Sequence, residues 1–240
     1  MNNSGLILNY KEIGGKDKKS LSTAAFREQM EYVASLNKSS CSLSTLGKKN
    51  TGNENCIFLT FDGGHSSDLE IVAPILKELG LKATFFIPAN KYKEYDAIWD
   101  DYRDLIAAGH QIGSMGLNYS NFARLSVRRQ LFELKKSKFV LEHRLKTEIN
   151  FFALPEGKFN HHTIRLASDA EYKMVFTSRF GFISLNALPF LTNRWQMTNK
   201  VSLQLLKKVT QEDRFALKSL KLKYVFSKIW RQLTAPLSFS

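Results

Sequence analysis

The sequence predicts a parallel α/β fold. Apolar, β-prone runs alternate with helical segments at intervals of about 20 to 40 residues, and strands separated in this way are joined by right-handed crossovers. The length of 240 residues and the hydrophobic content of 43% allow a substantial core in one domain. The charged fraction of 24% is ordinary for a globular chain, which excludes wholesale disorder.

Six strands are predicted from short apolar runs that end at glycine, proline or polar turns. They span residues 5–13, 56–61, 82–87, 111–114, 150–154 and 173–178. Helices are predicted where apolar residues recur at helical spacing, as they do after the candidate capping residue Ser22. They span residues 22–36, 70–79, 102–108, 126–145 and 162–167, and further helices begin at Leu203. We therefore expect one domain over residues 1–200 and a C-terminal helical extension over residues 201–240.

In such folds the functional groups gather at the carboxyl ends of the strands. The second strand delivers Asp62 into a turn formed by the glycines at 63–64. Asp62 is a candidate catalytic base, but an aspartate is also what a tight turn favours. The other candidates at strand ends are Ser114 with Met115, the segment 155–157, and the residues that follow Ser178.

The formal net charge of +13 is concentrated in two stretches. Residues 124–150 hold eight Lys/Arg against three acidic residues, and residues 200–240 hold nine against two. Such stretches face lipid or nucleic-acid phosphates, or they are solvated helix faces. No nucleic-acid motif accompanies them, so a nucleic-acid partner is not expected. The segment 214–233 predicts a basic amphipathic helix, which either packs on the domain or lies on a membrane with Trp230 among the headgroups.

Cys41 and Cys56 lack the spacing of a zinc site, and they indicate no disulfide framework. The first residues lack the basic and apolar regions of a signal peptide, and no apolar run reaches about 18 residues. We expect a cytoplasmic protein. If the C-terminal basic helix lies on a membrane instead of packing on the domain, the contact would be peripheral and at the inner face.

Four segments in order resemble the polysaccharide deacetylases, the NodB-type carbohydrate esterases. They read LTFDGG at 59–64, APILK at 73–77, KATFFI at 82–87 and GHQIGS at 109–114, and Pro155, Glu156 and Gly157 stand where the third motif of that family is expected. The resemblance covers about residues 5–194. It implies a distorted (β/α)7-type barrel of the glycoside hydrolase and deacetylase kind, followed here by the C-terminal basic amphipathic helix.

The family hydrolyses N-acetyl groups on sugar polymers with a divalent metal such as zinc. One Asp acts as general base, while a second Asp and two His hold the metal that activates water. The resemblance implies that Asp62 matches the base. The metal Asp matches Gly63, and the two metal histidines match Met115 and Tyr119. The arginine that precedes the third motif matches Ala153, and no histidine is left after residue 162 to act as general acid.

These departures predict a catalytically impaired homologue that holds no metal cofactor. It would bind a polysaccharide or oligosaccharide, with Pro155, Glu156 and Gly157 at the substrate, or serve in cell-envelope polysaccharide biosynthesis. The alternative is an active carbohydrate deacetylase that hydrolyses a C–N bond with Asp62 as base and a nonstandard metal site. A substitute site of two histidines and one carboxylate would use His65, His110 and Asp62. A third reading is a basic module that adheres to membrane or nucleic acid and uses the barrel only as a scaffold.

Overall fold

The computed structural model describes residues 4–36, 42–46, 56–92, 95–185, 189–211, 217 and 219–220. Contacts between Cα atoms divide the chain into two compact units, residues 1–200 and residues 201–240. The first unit contains one nine-stranded sheet and five α-helices in its described part. The second contains the helix α6, Leu203–Thr210, which begins after Ser202, whose side chain accepts a hydrogen bond from the backbone N–H of Leu205.

The strands of the first unit follow the chain order with helices between them. They are β1 (Ser4–Tyr10), β2 (Ile57–Asp62), β3 (Ala83–Ile87), β4 (Gln111–Ser114), β5 (Phe151–Ala153), β6 (Met174–Phe176), β7 (Phe182–Ser184), β8 (Leu191–Thr192) and β9 (Trp195–Gln196). The helices are α1 (Thr23–Ser35), α2 (Ala73–Glu78), α3 (Ile98–Ala107), α4 (Val127–Leu145) and α5 (Thr163–Asp169). A π-helical turn, Asp68–Val72, leads into α2.

The sheet closes almost completely into a barrel. Strands β1 to β6 lie side by side and parallel, and β8 continues the sheet beside β6. At the other edge β1 also pairs with β9 in parallel and with β7 in antiparallel orientation. Only residues 193–194 separate β8 from β9, so this short link spans the seam between the two edges of the sheet.

The buried positions explain why these segments form these elements. Every side chain of β2 and β3 is buried, as expected for strands covered by helices on the outside and by the barrel core on the inside. Helix α4 begins after Ser126, whose hydroxyl accepts the N–H of Arg129, and ends at Lys146 in the left-handed conformation. The predicted barrel fold is therefore confirmed.

The sequence-based expectations differ from the structure for the last strands and for the cysteines, and the C-terminal basic helix lies mostly beyond the described residues. The strands β7, β8 and β9 were not predicted individually, because two or three residues are too short for a periodic signal. Cys56 is disulfide-bonded although the cysteine spacing indicated no disulfide framework, and Cys41 lies outside the described residues. The predicted basic helix 214–233 lies outside them apart from three residues, so its membrane contact stays a prediction. No helix in the described ranges is long and apolar enough to cross a bilayer.

Candidate functional site

A cavity of about 680 Å³ opens at the carboxyl ends of the strands. The segments after β1, β2, β3 and β4 contribute most of its wall, and β9 with the residues after it closes one side. The polar and charged side chains of the lining are Lys11, Glu12, Asp17, Lys19, Ser20, His65, Asn90, Lys91, Asn118, Tyr119, Glu156, Gln196 and Thr198. Its volume falls in the range of roughly 300 to 1,000 Å³ that small-molecule sites occupy.

Asp62 ends β2 but does not line this cavity. Its side chain is buried and 3% exposed. Arg194 donates from Nη1 to Oδ1 at 2.7 Å and from Nη2 to Oδ2 at 2.8 Å, and Asn9 donates from Nδ2 to Oδ2 at 3.0 Å. Both carboxylate oxygens are therefore held by donors from the barrel interior.

Arg194 is a residue of the site that sequence reasoning missed. It is fully buried in the link between β8 and β9, and its Nε donates to the carbonyl oxygen of Thr177 at 3.0 Å. Its guanidinium carbon lies 5.2 Å from the ring centre of Phe86 and 5.8 Å from that of Phe176. The only sequence signal is an arginine next to Trp195 in a segment that otherwise reads as a loop.

Ala153, which matches the family's third-motif arginine, is completely buried in the hydrophobic core. The guanidinium of Arg194 reaches Asp62 from the seam of the barrel, whereas position 153 lies on β5. A buried carboxylate requires a cation or several donors, because an uncompensated charge in the interior is expensive. The buried arginine beside Asp62 in this chain thus comes from the link between β8 and β9, not from β5.

Gly63 has no side chain, and His65 fills the space beside it. A Cβ atom built on Gly63 would lie 2.6 Å from Nε2 of His65, and the backbone at Gly63 has a φ of +108°. Burial and the nearby Lys91 lower the pKa of His65 below its ordinary value. Nζ of Lys91 donates to the carbonyl oxygen of Gly63 at 2.8 Å and holds this turn at the cavity wall.

Met115 and Tyr119 are the residues that the family resemblance predicts at the positions of the two metal histidines. Met115 is completely buried in the hydrophobic core and does not line the cavity. Tyr119 lines the cavity with a φ of +58°, and Nζ of Lys11 donates to its hydroxyl at 3.4 Å. Burial raises the pKa of Tyr119. A tyrosine is already protonated near neutral pH at its ordinary pKa of about 10, and a neutral phenol is a poor metal ligand.

Glu133 fixes the loop that carries Tyr119. This buried side chain of α4 accepts hydrogen bonds from the backbone N–H groups of Leu117, at 2.8 Å, and Asn118, at 3.0 Å. It also accepts bonds from the side chains of Asn118 and Ser120. The loop geometry at the cavity is therefore set by a carboxylate on the helix that follows it.

The residues present do not fit the divalent metal of the family. Across the ranges given above, no three His, Cys, Asp or Glu side chains come close enough together to hold a metal ion. A hard or borderline divalent cation needs carboxylate or imidazole ligands, which Gly63 and Met115 cannot supply.

The prediction of a substitute metal site formed by His65, His110 and Asp62 is wrong, because His110 lies far from Asp62. His110 precedes β4, whereas Asp62 ends β2, and these parallel strands place the two residues about 10 Å apart along the strand direction. Nδ1 of His110 accepts the N–H of Ala83 at 3.2 Å, and burial lowers the pKa of His110 to about 4. This histidine is a buried residue at the opposite end of the barrel.

Of the third-motif segment, only Glu156 reaches the cavity. It has a φ of +54° and forms an ion pair with Lys158. Pro155 is buried, and a Cβ on Gly157 would lie 3.0 Å from Ser178, so this glycine allows two backbone segments to approach closely. The assignment of substrate binding to these three residues stays a prediction.

A group of buried polar atoms was also missed by sequence reasoning. In the described part of the chain, both carboxylate oxygens of Asp68 and Nε1 of Trp99 are buried without a hydrogen-bond partner, and the hydroxyl of Tyr102 is buried near Tyr92. Burial raises the pKa of Asp68 to about 8, because the charged form is poorly solvated there. Tyr102 lies close to the glycine turn, since a Cβ on Gly64 would be 3.3 Å from its hydroxyl.

Comparison with known sequences identifies the class of protein that this fold and cavity define. The sequence model described as polysaccharide deacetylase matches residues 49–175, and the chain belongs to this family. The predicted resemblance is thereby confirmed.

The chain is similar to two curated proteins of Bacillus subtilis (strain 168). It is 24% identical over 132 residues to the putative polysaccharide deacetylase YxkH, and 27% identical over 103 residues to the uncharacterized protein YlxY. These matches cover 55% and 43% of this chain, and 47% and 31% of the relatives. The chain therefore spans less than half the length of the curated relatives it matches.

Solved structures share the fold of this chain. The Streptococcus pyogenes deacetylase PplD, in complex with acetate, has a TM-score of 0.79 and 21% identity, over 87% of this chain and 98% of that one. IcaB from Ammonifex degensii has a TM-score of 0.76 and 16% identity, over 88% of this chain and 98% of that one. These likenesses show that the barrel is the deacetylase barrel.

Proposed function

We propose that this chain is a saccharide-binding member of the polysaccharide deacetylase family that does not use a metal-activated water. The proposal rests on the residues at the three positions that align with the family's metal ligands, which are Gly63, Met115 and Tyr119. Without a metal, water keeps its pKa of about 15.7 instead of about 7, and the hydrolytic nucleophile is lost. The buried salt bridge between Asp62 and Arg194 gives this carboxylate a structural role.

The cavity supports a saccharide as ligand. Family membership points to polysaccharide substrates, and the lining offers the groups that bind sugar hydroxyls and ring faces. The amides of Asn90, Asn118 and Gln196 both donate and accept hydrogen bonds, and Tyr119 adds an aromatic ring. We place the protein in cell-envelope polysaccharide biosynthesis, where it would bind an N-acetylated glycan.

Titration calorimetry with N-acetylglucosamine oligomers tests binding, and acetate release with and without Zn²⁺ tests hydrolysis. We expect micromolar to millimolar binding without acetate release. Tyr119→Ala is expected to weaken binding at least tenfold, whereas Tyr95→Ala, a matched change at an exposed tyrosine outside the cavity lining, leaves it unchanged. Absence of binding to any acetylated oligomer overturns the proposal. Zinc-dependent acetate release that is lost in Asp62→Asn would establish the alternative, an active deacetylase with a nonstandard metal site.

The ligand positions can also be tested by restoring them. The test variant combines Gly63→Asp, Met115→His and Tyr119→His with His65→Gly. The fourth change removes the ring that a side chain at 63 would meet. We expect this variant to bind zinc at least tenfold more tightly than the parent. Zinc calorimetry on this quadruple variant, with His65→Gly alone as control, checks the alignment. No gain over the control would show that these positions do not correspond to the family's ligands.

A further inference from the structure

The outward face of α4 carries an exposed stripe that the saccharide cavity does not use. At 100° per residue, Arg128, Phe132, Lys135, Lys136, Phe139 and His143 fall within about 100° of one another around the helix axis. All six are exposed. We call these residues the α4 stripe; it extends over about 22 Å, since the helix rises 1.5 Å per residue.

The α4 stripe contains cations and no exposed carboxylate. The two acidic residues of α4 are Glu133, which is buried, and Glu142, which pairs with Lys138 at 3.0 Å. Among the described residues, Arg128, Lys135 and Lys136 have no carboxylate oxygen within 4.0 Å. Their charges are therefore available to an anionic partner.

Aromatic rings lie between these cations. The side chains of Phe132 and Phe139 are 47% and 60% exposed. Three of the five exposed large hydrophobic residues in the described ranges are on α4. The guanidinium of Arg129 lies 5.1 Å from the ring centre of Phe132, and Nζ of Lys136 lies 5.0 Å from that of Phe139. The stripe thus presents apolar rings and positive charges at the same level above the barrel.

We propose that the α4 stripe binds the surface of an anionic lipid bilayer. Exposed phenylalanines gain by leaving water only if they enter an apolar phase, and the flanking cations then meet the headgroup phosphates. Long basic side chains can bury their methylene stems at such an interface while the charged ends stay among the phosphates. This combination is the one that interfacial helices use.

The positive charge of this chain argues against two occupants of the stripe, the chain's own C-terminal segment and a second copy of the chain. Residues 200–240 carry nine basic residues against two acidic ones, a charge that does not complement the cations of the stripe. A second copy has the same formal charge of +13. A nucleic-acid duplex would satisfy the cations but would leave the two phenylalanine rings in water, whereas the bases of a single strand could stack on them. No nucleic-acid motif accompanies the stripe, and a bilayer surface supplies both the anionic groups and the apolar medium, so we take the bilayer as the occupant and test single-stranded RNA as the alternative.

The position of the stripe leaves the cavity accessible. The cavity opens at the carboxyl ends of the strands, whereas the stripe runs along the side of the barrel. The neighbouring α3 carries exposed Asp100, Asp101 and Asp104, which an anionic surface repels. The bilayer is therefore expected to meet α4 on the side that faces α5.

Vesicle co-sedimentation of the full chain tests the proposal. Vesicles of phosphatidylcholine with 30% phosphatidylglycerol are compared with pure phosphatidylcholine at 100 mM NaCl. We expect at least tenfold tighter partitioning to the anionic vesicles. Phe132→Ser with Phe139→Ser should weaken it at least tenfold, and Lys135→Glu with Lys136→Glu should do the same. Tyr95→Ser and Lys77→Glu, matched changes at exposed positions outside α4, should have no effect.

A second measurement locates the contact. Phe139→Trp adds a fluorophore to the stripe, and we expect its emission to shift to the blue and to be quenched by brominated lipid acyl chains. The proposal is overturned if the parent does not bind anionic vesicles, or if the stripe variants bind as the parent does. It is also overturned if only the lysine variant loses binding, or if single-stranded RNA competes fully, since either result describes a polyanion site without lipid insertion. Unchanged thermal unfolding midpoints show that the variants are folded.

Discussion

The salt bridge between Asp62 and Arg194 gives the sharpest test of the structure. The substitution Arg194→Met keeps a long apolar side chain at the barrel seam and removes the guanidinium. The Asp62 carboxylate, 3% exposed, is then left with the single hydrogen bond from Asn9. Removing one partner of a buried ion pair leaves an uncompensated charge, which is more costly than replacing both partners.

The size of the effect follows from the contacts. Arg194 donates two charge-assisted hydrogen bonds to Asp62, and each such bond contributes about 1.5 to 3 kcal/mol. We therefore expect Arg194→Met to lower the free energy of unfolding by about 3 to 5 kcal/mol, as is typical of a broken buried pair. With a urea m value of about 2 kcal/mol/M, the unfolding midpoint falls by about 2 M.

Urea unfolding followed by far-UV circular dichroism measures this change in a double-mutant cycle. Asp62→Asn in the Arg194→Met background should recover at least about 2 kcal/mol, because it removes the unpaired charge. Arg179→Met, the same change at an exposed arginine, should stay within about 0.5 kcal/mol of the parent. The reasoning is refuted if Arg194→Met costs less than about 1 kcal/mol, or if the coupling between the two sites is absent.

Two further predictions concern buried carboxylates near the cavity. The pKa of Asp68 is about 8 in the folded chain, against an ordinary value of 3.8. Between these pH values the folded chain keeps a proton that the unfolded chain releases. The stability of the folded chain is therefore greatest below about pH 4 and declines as the pH rises towards 8. Asp68→Asn should therefore be more stable than the parent by about 1 to 3 kcal/mol at pH 8 but not at pH 4. Urea unfolding at the two pH values measures this, and the same stability difference at both would contradict the prediction. Glu133→Ala should cost about 2 to 4 kcal/mol, because it leaves the buried N–H of Leu117 and that of Asn118 without an acceptor. It should also weaken saccharide binding through the Tyr119 loop, and calorimetry that finds unchanged affinity would separate this loop from the binding site.

The parts of the fold that the sequence predicted well are those with a local signal. Strand β4 has the predicted bounds, and α4 begins one residue after the predicted start, because Ser126 is its cap. The apolar run before Asp62 and the glycine turn after it placed this residue at the end of β2. The family resemblance relied on the same local motifs and identified the barrel, whereas the match of Gly63, Met115 and Tyr119 to the family's metal ligands stays a prediction.

The tertiary structure alone decided which groups meet at the site. Arg194 and Asp62 are 132 residues apart, and their contact depends on two-residue strands at the barrel seam that have no period of their own. The same holds for Met115, which faces the core, and for His65, which fills the space beside Gly63. A linear sequence fixes local propensity and hydrophobic pattern. The partner of a buried charge depends on how the barrel closes, which is set by the packing of the whole chain.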